Sequence, residues 1–434
     1  MIESYIMGFR NCRVAPLLAA ILCAPAASAD EINGGDTAWI LTATALVLMM
    51  TLPGLALFYA GLVRARNSVS VVAQCFGVAC ITSLLWVICG YSLAFADGNA
   101  FIGGLGKAML RGVSRESVSG TIPETVFAAF QMTFAIITPA LIVGAFVERM
   151  RFAAVLLFSG LWLLLVYAPV AHWIWGGGWL AERGVLDFAG GVVVHTTAGI
   201  AALVVAVQLG ARRTFQKQFY PPHSPVIVGI GAALLWVGWF GFNAGSALAA
   251  NGDAGMALLA THTAAAAGAL VWAGLEWRSV GKPSLVALVT GLIAGLATIT
   301  PAAGFVGLPG ALLLGAAGGL LCYYIVPLIR ARLSIDDSLD VFAVHGVGGI
   351  TGSLLAAVLA SESLGGVGLP EGATAVSQFG VQLMAVLAAA VWTAVASFLI
   401  LRAIQIFVPL RAEEEMESEG LDLAEHGEKG YHLE

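Results

Sequence analysis

The chain has 434 residues, 59% of them hydrophobic and only 11% charged, with a mean hydropathy of +0.91. A soluble chain carries about 25% charged residues, so too few polar groups remain to coat a water-facing surface, and a soluble enzyme is excluded in favour of an all-α polytopic membrane protein. The net charge of −6 belongs to the end of the chain: from Ala412 onward nine acidic residues face one lysine, whereas the preceding 411 residues carry 19 basic and 17 acidic groups. That balance leaves no basic patch for nucleic acid.

Arg10 and Arg13 precede an apolar run from Val14 to Ala27, followed by Ala27-Ser28-Ala29 and then Asp30-Glu31. A basic start, a short apolar run and a small-residue site predict a secretory signal peptide over residues 1–29, cleaved after Ala29. An uncleaved anchor is the alternative, but the run is short for a span of about 20 residues.

The stretches free of Asp, Glu, Lys and Arg are 37–63, 67–96, 125–147, 152–181, 188–211, 218–252, 254–275, 283–329, 341–361 and 372–401. Nine fit one membrane helix each. The stretch 283–329 is too long for one, and Thr300-Pro301 with the glycines up to Gly310 splits it in two. Eleven transmembrane helices are therefore expected within a domain of residues 30–411. Fourteen Lys and Arg residues fall on the face that holds the tail and four on the other, so the positive-inside rule puts the mature N-terminus outside and the C-terminus in the cytoplasm of the cell membrane.

Spans 1–5 and 6–10 echo each other. Phe58-Tyr59-Ala60-Gly61 in span 1 corresponds to Phe242-Asn243-Ala244-Gly245 in span 6, and the segment from His195 to Ile200 corresponds to that from His345 to Ile350. A unit with an odd number of helices enters the membrane from opposite sides in its two copies, which is a transporter architecture. The expectation is two inverted five-helix repeats, about 36–210 and 226–402, the second taken with a peripheral eleventh helix.

Ionisable residues inside a membrane are costly and face cavities or partners. His195 and His345 occupy equivalent positions in the two halves, so an approximate two-fold brings them together at mid-depth. Asp187 begins span 5 in an Asp-Phe-Ala-Gly-Gly turn and reads either as a helix cap or as a cation ligand. Aromatics gather at the outer ends of spans 3, 4 and 6: Phe130 and Phe134 in FQMTF, Trp173 and Trp175 in AHWIWGGGW, and Trp239, Phe240 and Phe242 in WFGFNAGS, close to the Ser246 hydroxyl. Aromatic belts mark any membrane interface, but an aromatic face also attracts a cation by about 0.5–2 kcal/mol. The six cysteines show neither zinc-site nor disulfide spacing and read as small core residues. No cofactor or metal site is read from the sequence. The tail 412–434 reads from composition as solvated and disordered.

At these motifs the sequence closely resembles the ammonium transporter family, which groups ammonium transporters with the Rhesus proteins, and it looks more like the bacterial branch. The matching segments include TLPGLALFYAGLVRARNS, FQMTFAIITPALIVGAFVERMRF, AHWIWGGGWL, LDFAGGVVVH, WFGFNAGS, DDSLDVFAVHGVGG and the terminal EGLDLAEHGEKGY. The span 1 motif has Ala60 where glycine is usual. The resemblance implies a homotrimer with one pore per subunit. It implies that Phe130, Trp175 and Ser246 form an external ammonium recruitment site and that Phe134 and Phe242 stack as a gate beneath it. It further implies that His195 and His345 line the pore, and that Asp187 supports the recruitment site. The tail would pack under the pore and help dock a PII-type signalling protein. Two other expectations within the same resemblance are an ammonium sensor and an electroneutral ammonia channel.

Overall fold

The computed structural model describes residues 32–218 and 220–431; the expected signal peptide and its cleavage site lie outside them. Eleven helices make the membrane body: α1 (Gly34–Leu62), α2 (Ala65–Phe95), α3 (Glu124–Phe146), α4 (Phe152–Ile174), α5 (Gly191–Leu209), α6 (Pro225–Gly245), α7 (Gly252–Val280), α8 (Leu285–Ile299), α9 (Leu308–Arg332), α10 (Phe342–Leu359) and α11 (Ala375–Ile404). Ten are long and apolar enough to cross a membrane, and α8, with 15 residues, is a shorter apolar helix. The apolar stretch 283–329 is thus two helices, α8 and α9, parted by a turn through Thr300 to Phe305, because Pro301 cannot supply the N–H that a continuing helix needs.

Polar residues fix where several helices begin. Asn33 accepts from the N–H of Gly35 and Asp36 ahead of α1, Asn251 from Ala254 ahead of α7, Ser284 from Ala287 ahead of α8, and Thr374 from Ser377 ahead of α11. Such caps satisfy amides that lipid cannot. Asp36 ties the start of α1 to Thr121 and to the Ala250 N–H, whereas Ser224, ahead of α6, donates its backbone N–H to Gly61 at the far end of α1. The first helices of the two halves therefore enter from opposite faces. The α3 helix lies at the centre, with 83% of its most apolar stretch buried, against 33% for α11, which is peripheral.

Two features depart from what composition leads one to expect. The acidic tail is not a solvated coil among the described residues: it forms α12 (Glu414–Glu419) and α13 (Leu421–His426) and lies on the start of α2 and on the junction of α3 and α4. Leu421 N–H donates to Asn67 Oδ1 at 2.8 Å, Ser70 N–H to Asp422 Oδ1 at 2.7 Å, and Arg411 pairs with Glu417. Specific donors and acceptors on the membrane body supply what the tail's own apolar content does not. Of the cysteines, Cys75 and Cys322 are buried, but Cys80 is exposed and Cys89 half-buried on α2; a thiol is apolar enough to face lipid as readily as a core. Cys12 and Cys23 lie outside the described residues.

Candidate functional site

Both histidines sit where the helix is locally widened. His195 lies in a π-helical turn, Gly191–Thr196, that opens α5, and His345 in another, Phe342–Gly346, that opens α10. Such turns put a side chain off the regular face and recur at functional sites. The α5 and α10 helices cross at glycines. A Cβ on Gly199 would collide with the backbone of Gly346, and one on Gly349 would come within 2.6 Å of Gly191 O and His195 Cβ. Each glycine lies four residues after one histidine and touches the turn that carries the other, so the contact is reciprocal. It brings the rings together with their Nδ1 atoms 3.2 Å apart, centroids at 5.2 Å and planes 17° from parallel. One hydrogen occupies that contact, so one Nδ1 donates and the other accepts. The Nε2 of His195 has no hydrogen-bond partner among the described residues, although the residue is 1% exposed.

A run of rings leads from this pair to one face of the molecule. His195 lies 6.1 Å from the Phe242 ring, Phe242 stacks on Phe134 at 4.3 Å, and Phe134 meets Trp175 edge-on at 5.8 Å and Phe130 at 5.0 Å. Trp175 is only half-buried, whereas Phe130, Phe134 and Phe242 are enclosed. The Ser246 hydroxyl donates to Phe242 O at 2.8 Å, which leaves its lone pairs to accept from an incoming N–H donor. Phe130, Phe134, Trp175, Phe242 and the two histidines therefore form one connected group, whereas Trp173 packs on Trp179 and Trp392 and Phe240 on His262. Trp239 belongs to it as well, stacked on His195 at 5.5 Å and donating its indole N–H to Thr300 Oγ1. Sequence reading placed it among the aromatics gathered at the outer ends of the spans but gave it no role of its own; its place three residues before Phe242 on α6 was the available signal.

Asp187 lies beside this group and caps α5. Its carboxylate accepts the backbone N–H groups of Gly190, Gly191, Val192 and Val193 at 2.5–3.1 Å. Gly190, with φ of +109°, makes the turn that aims them. The Asp187 carbonyl in turn accepts the Trp175 indole N–H at 2.9 Å. Between the two sequence readings, the geometry is that of a cap that also fixes the mouth tryptophan.

Beyond His345 the group opens to the other face. A cavity of about 980 Å³ is lined by His345, Tyr59, Glu148, Arg212, Arg330 and Asp340, among others. Its rim is an ion-pair cluster that the sequence did not reveal. Glu148 accepts from Arg64, Asn67 and Arg212, and Arg212 forks onto Asp336. Burial alone would raise the Glu148 carboxyl, but Arg212 and Arg64 hold it below the usual range.

A family model described as the Ammonium Transporter Family matches residues 38–431. The chain belongs to that family. It is a family of transporters rather than of enzymes. An "Ammonium transporter" of Bacillus subtilis is 47% identical over 402 residues, covering 92% of this chain and 98% of the relative. "Ammonium transporter Amt1" of Archaeoglobus fulgidus is 45% identical, covering 92% and 100%. Among solved structures, Saccharomyces cerevisiae Mep2 aligns with a TM-score of 0.81 at 36% identity over 89% of this chain and 90% of its own. A protein titled "Sensor Amt Protein" aligns at 0.85 and 28% identity over 90% and 98%.

Proposed function

We propose that this ammonium transporter recruits NH4+ at Phe130, Trp175 and Ser246, strips it of a proton at the Phe134–Phe242 gate, and conducts NH3 past His195 and His345. The observation that carries this reading is the unbroken run of rings from Trp175 to the hydrogen-bonded histidines, ending at the cavity on the far face.

The physics runs in the same order. Carrying an ammonium-sized ion into a low-dielectric interior costs several kcal/mol even after relaxation. The Trp175 ring and the Ser246 oxygen offset part of that cost at the mouth. Potassium is similar in charge but donates no hydrogen bonds, so it leaves acceptors unpaired and is disfavoured. Beyond the stacked phenylalanines no polar shell accompanies the ion, and desolvation favours the neutral amine. Imidazole, with an ordinary pKa of about 6.5, is suited to take the proton. A proton gained at one Nε2 pushes the shared Nδ1 hydrogen across to the partner ring, which releases its own Nε2 proton on the far side. The pair thereby returns a charge to the ammonia's path without admitting the whole ion.

In this reading the protein is a homotrimer in the cell membrane, with a cleaved leader over 1–29, the mature N-terminus outside and the tail in the cytoplasm. Residues 30–411 are the transport domain and 412–434 a regulatory tail that helps dock a PII-type protein. Charge transfer gains about 2.3 kcal/mol per 100 mV, whereas neutral ammonia gains nothing. Purified protein in proteoliposomes is therefore expected to give an ammonium-evoked current. Ammonia uptake with no current would reduce the reading to an electroneutral channel. The likeness to the sensor protein favours a second reading, in which the same site reports ammonium to a partner; labelled methylammonium flux too small to supply a cell would select it.

A further inference from the structure

Asp187 and Asp337 stand at the same remove from the paired histidines, eight residues before His195 and eight before His345. Each precedes the π-helical turn that carries its histidine, and each carboxylate accepts backbone N–H from that turn, Asp337 through Oδ2 from Phe342 at 2.7 Å. Because the two halves enter from opposite faces, one aspartate lies toward each end of the route. They differ in one respect. Both oxygens of Asp187 are occupied, with two N–H donors each. Oδ1 of Asp337 has no hydrogen-bond partner among the described residues, although the residue is only 1% exposed. A buried carboxylate oxygen without a donor supports negative charge poorly and accepts a proton readily.

The surroundings fit such a role. Asp337 lies before the membrane-spanning part of α10, and burial, followed by the charge of Asp340, pushes its carboxyl up to about 7. Asp340 is itself paired with Arg330 at 2.7 Å, Asp336 with Arg212 at 2.9 Å, and the Tyr59 hydroxyl donates to Leu141 O. Arg149, fully buried, spends its terminal nitrogens on Ser338 Oγ, Ala145 O and Asp336 O. None of these charged neighbours donates to Oδ1. The residues that follow Asp337, from Ser338 to Asp340, line the same cavity as His345.

The geometry points to Asp337 as the group that takes the proton leaving the histidine pair and releases it to the cytoplasm. This rests on the reading above that a proton follows the imidazoles. The His345 N–H bond breaks, the proton crosses the cavity to the wall made by Ser338, Leu339 and Asp340, and an O–H bond forms at Oδ1 of Asp337, the residue just before them in the chain. Loss of that proton to cytoplasmic water restores the carboxylate, so one proton passes and nothing is consumed. Both oxygens of Asp187 are taken up by backbone donors, so it remains a positioning residue.

The test is Asp337→Asn, whose amide oxygen still accepts the Phe342 N–H but which has no carboxyl proton to carry. In proteoliposomes the ammonium-evoked current is expected to fall at least tenfold. Lumenal alkalinisation by neutral ammonia, corrected for protein-free vesicles, is expected to persist, and Asp337→Glu to restore the current. A current equal to wild type in Asp337→Asn overturns the assignment. So does loss of both current and neutral flux in Asp337→Asn and Asp337→Glu alike, which is the signature of a cap alone. A wild-type protein without current removes the underlying reading instead, and that result is seen before any variant is made.

Discussion

A single carboxylate can fix both the start of a helix and the place of a neighbouring ring. Asp187 gathers four N–H groups at the start of α5 and, through its carbonyl, anchors the Trp175 indole. Its type and place were legible from the sequence, and its position favoured a cap, but a ligand stayed readable there too, since both need an acidic residue ahead of a helix. The direction of the carboxylate decides between them, and that follows from the Gly190 turn. Asp187→Ala leaves four buried donors without an acceptor, at about 1–3 kcal/mol each. It is expected to lower the unfolding temperature in detergent and, by freeing Trp175, to cut methylammonium uptake by roughly tenfold or more. Asp187→Asn, which keeps one acceptor oxygen, should fall between the two.

At the scale of elements, the crossing of α5 and α10 sets the distance between the imidazoles. The repeated pattern of histidine followed four residues later by glycine was visible in the sequence, and so was the equivalence of the two halves. That each glycine receives the turn of the opposite histidine was not, because it depends on where two helices cross. Small residues at such crossings let backbones approach closely. Gly349→Val would press a branched side chain against Gly191 O and His195 Cβ. Overpacking of this kind costs about 1–3 kcal/mol. It should separate the rings and abolish uptake at normal membrane abundance, with Gly349→Ala intermediate; uptake assays on protein-matched vesicles read the difference.

Across the whole molecule, the tail is tied to the rim of the cavity through a short chain of hydrogen bonds. Leu421 N–H meets Asn67 Oδ1, the Asn67 amide meets Glu148, and Glu148 holds Arg64 and Arg212 at the cavity wall. Gly420, at φ +109°, passes so close to Arg66 that a Cβ there would lie 2.5 Å from its carbonyl oxygen. Removing residues 412–434 takes away the partners of Asn67 Oδ1 and the Ser70 N–H and is expected to reduce the initial uptake rate several-fold while leaving the membrane body folded. Gly420→Val should reproduce that loss with the full chain present. Uptake rate and limited proteolysis of the tail check both together, and a wild-type rate after truncation would show that the exit is set by the membrane body alone.

The apolar spans, their number, the paired histidines and the gathering of aromatics were all determined by the sequence alone. Lipid permits only long apolar stretches with their backbone satisfied internally, and ionisable residues survive inside them only at a cost that marks them out. That the tail packs against the membrane body was implied by its resemblance, but the contacts that dock it, the ion pairs around Glu148, the place of Trp239 against His195 and the unpaired oxygen of Asp337 came only with the tertiary structure. Each depends on groups far apart in the chain meeting at a set angle, and residue type and spacing carry no information about that.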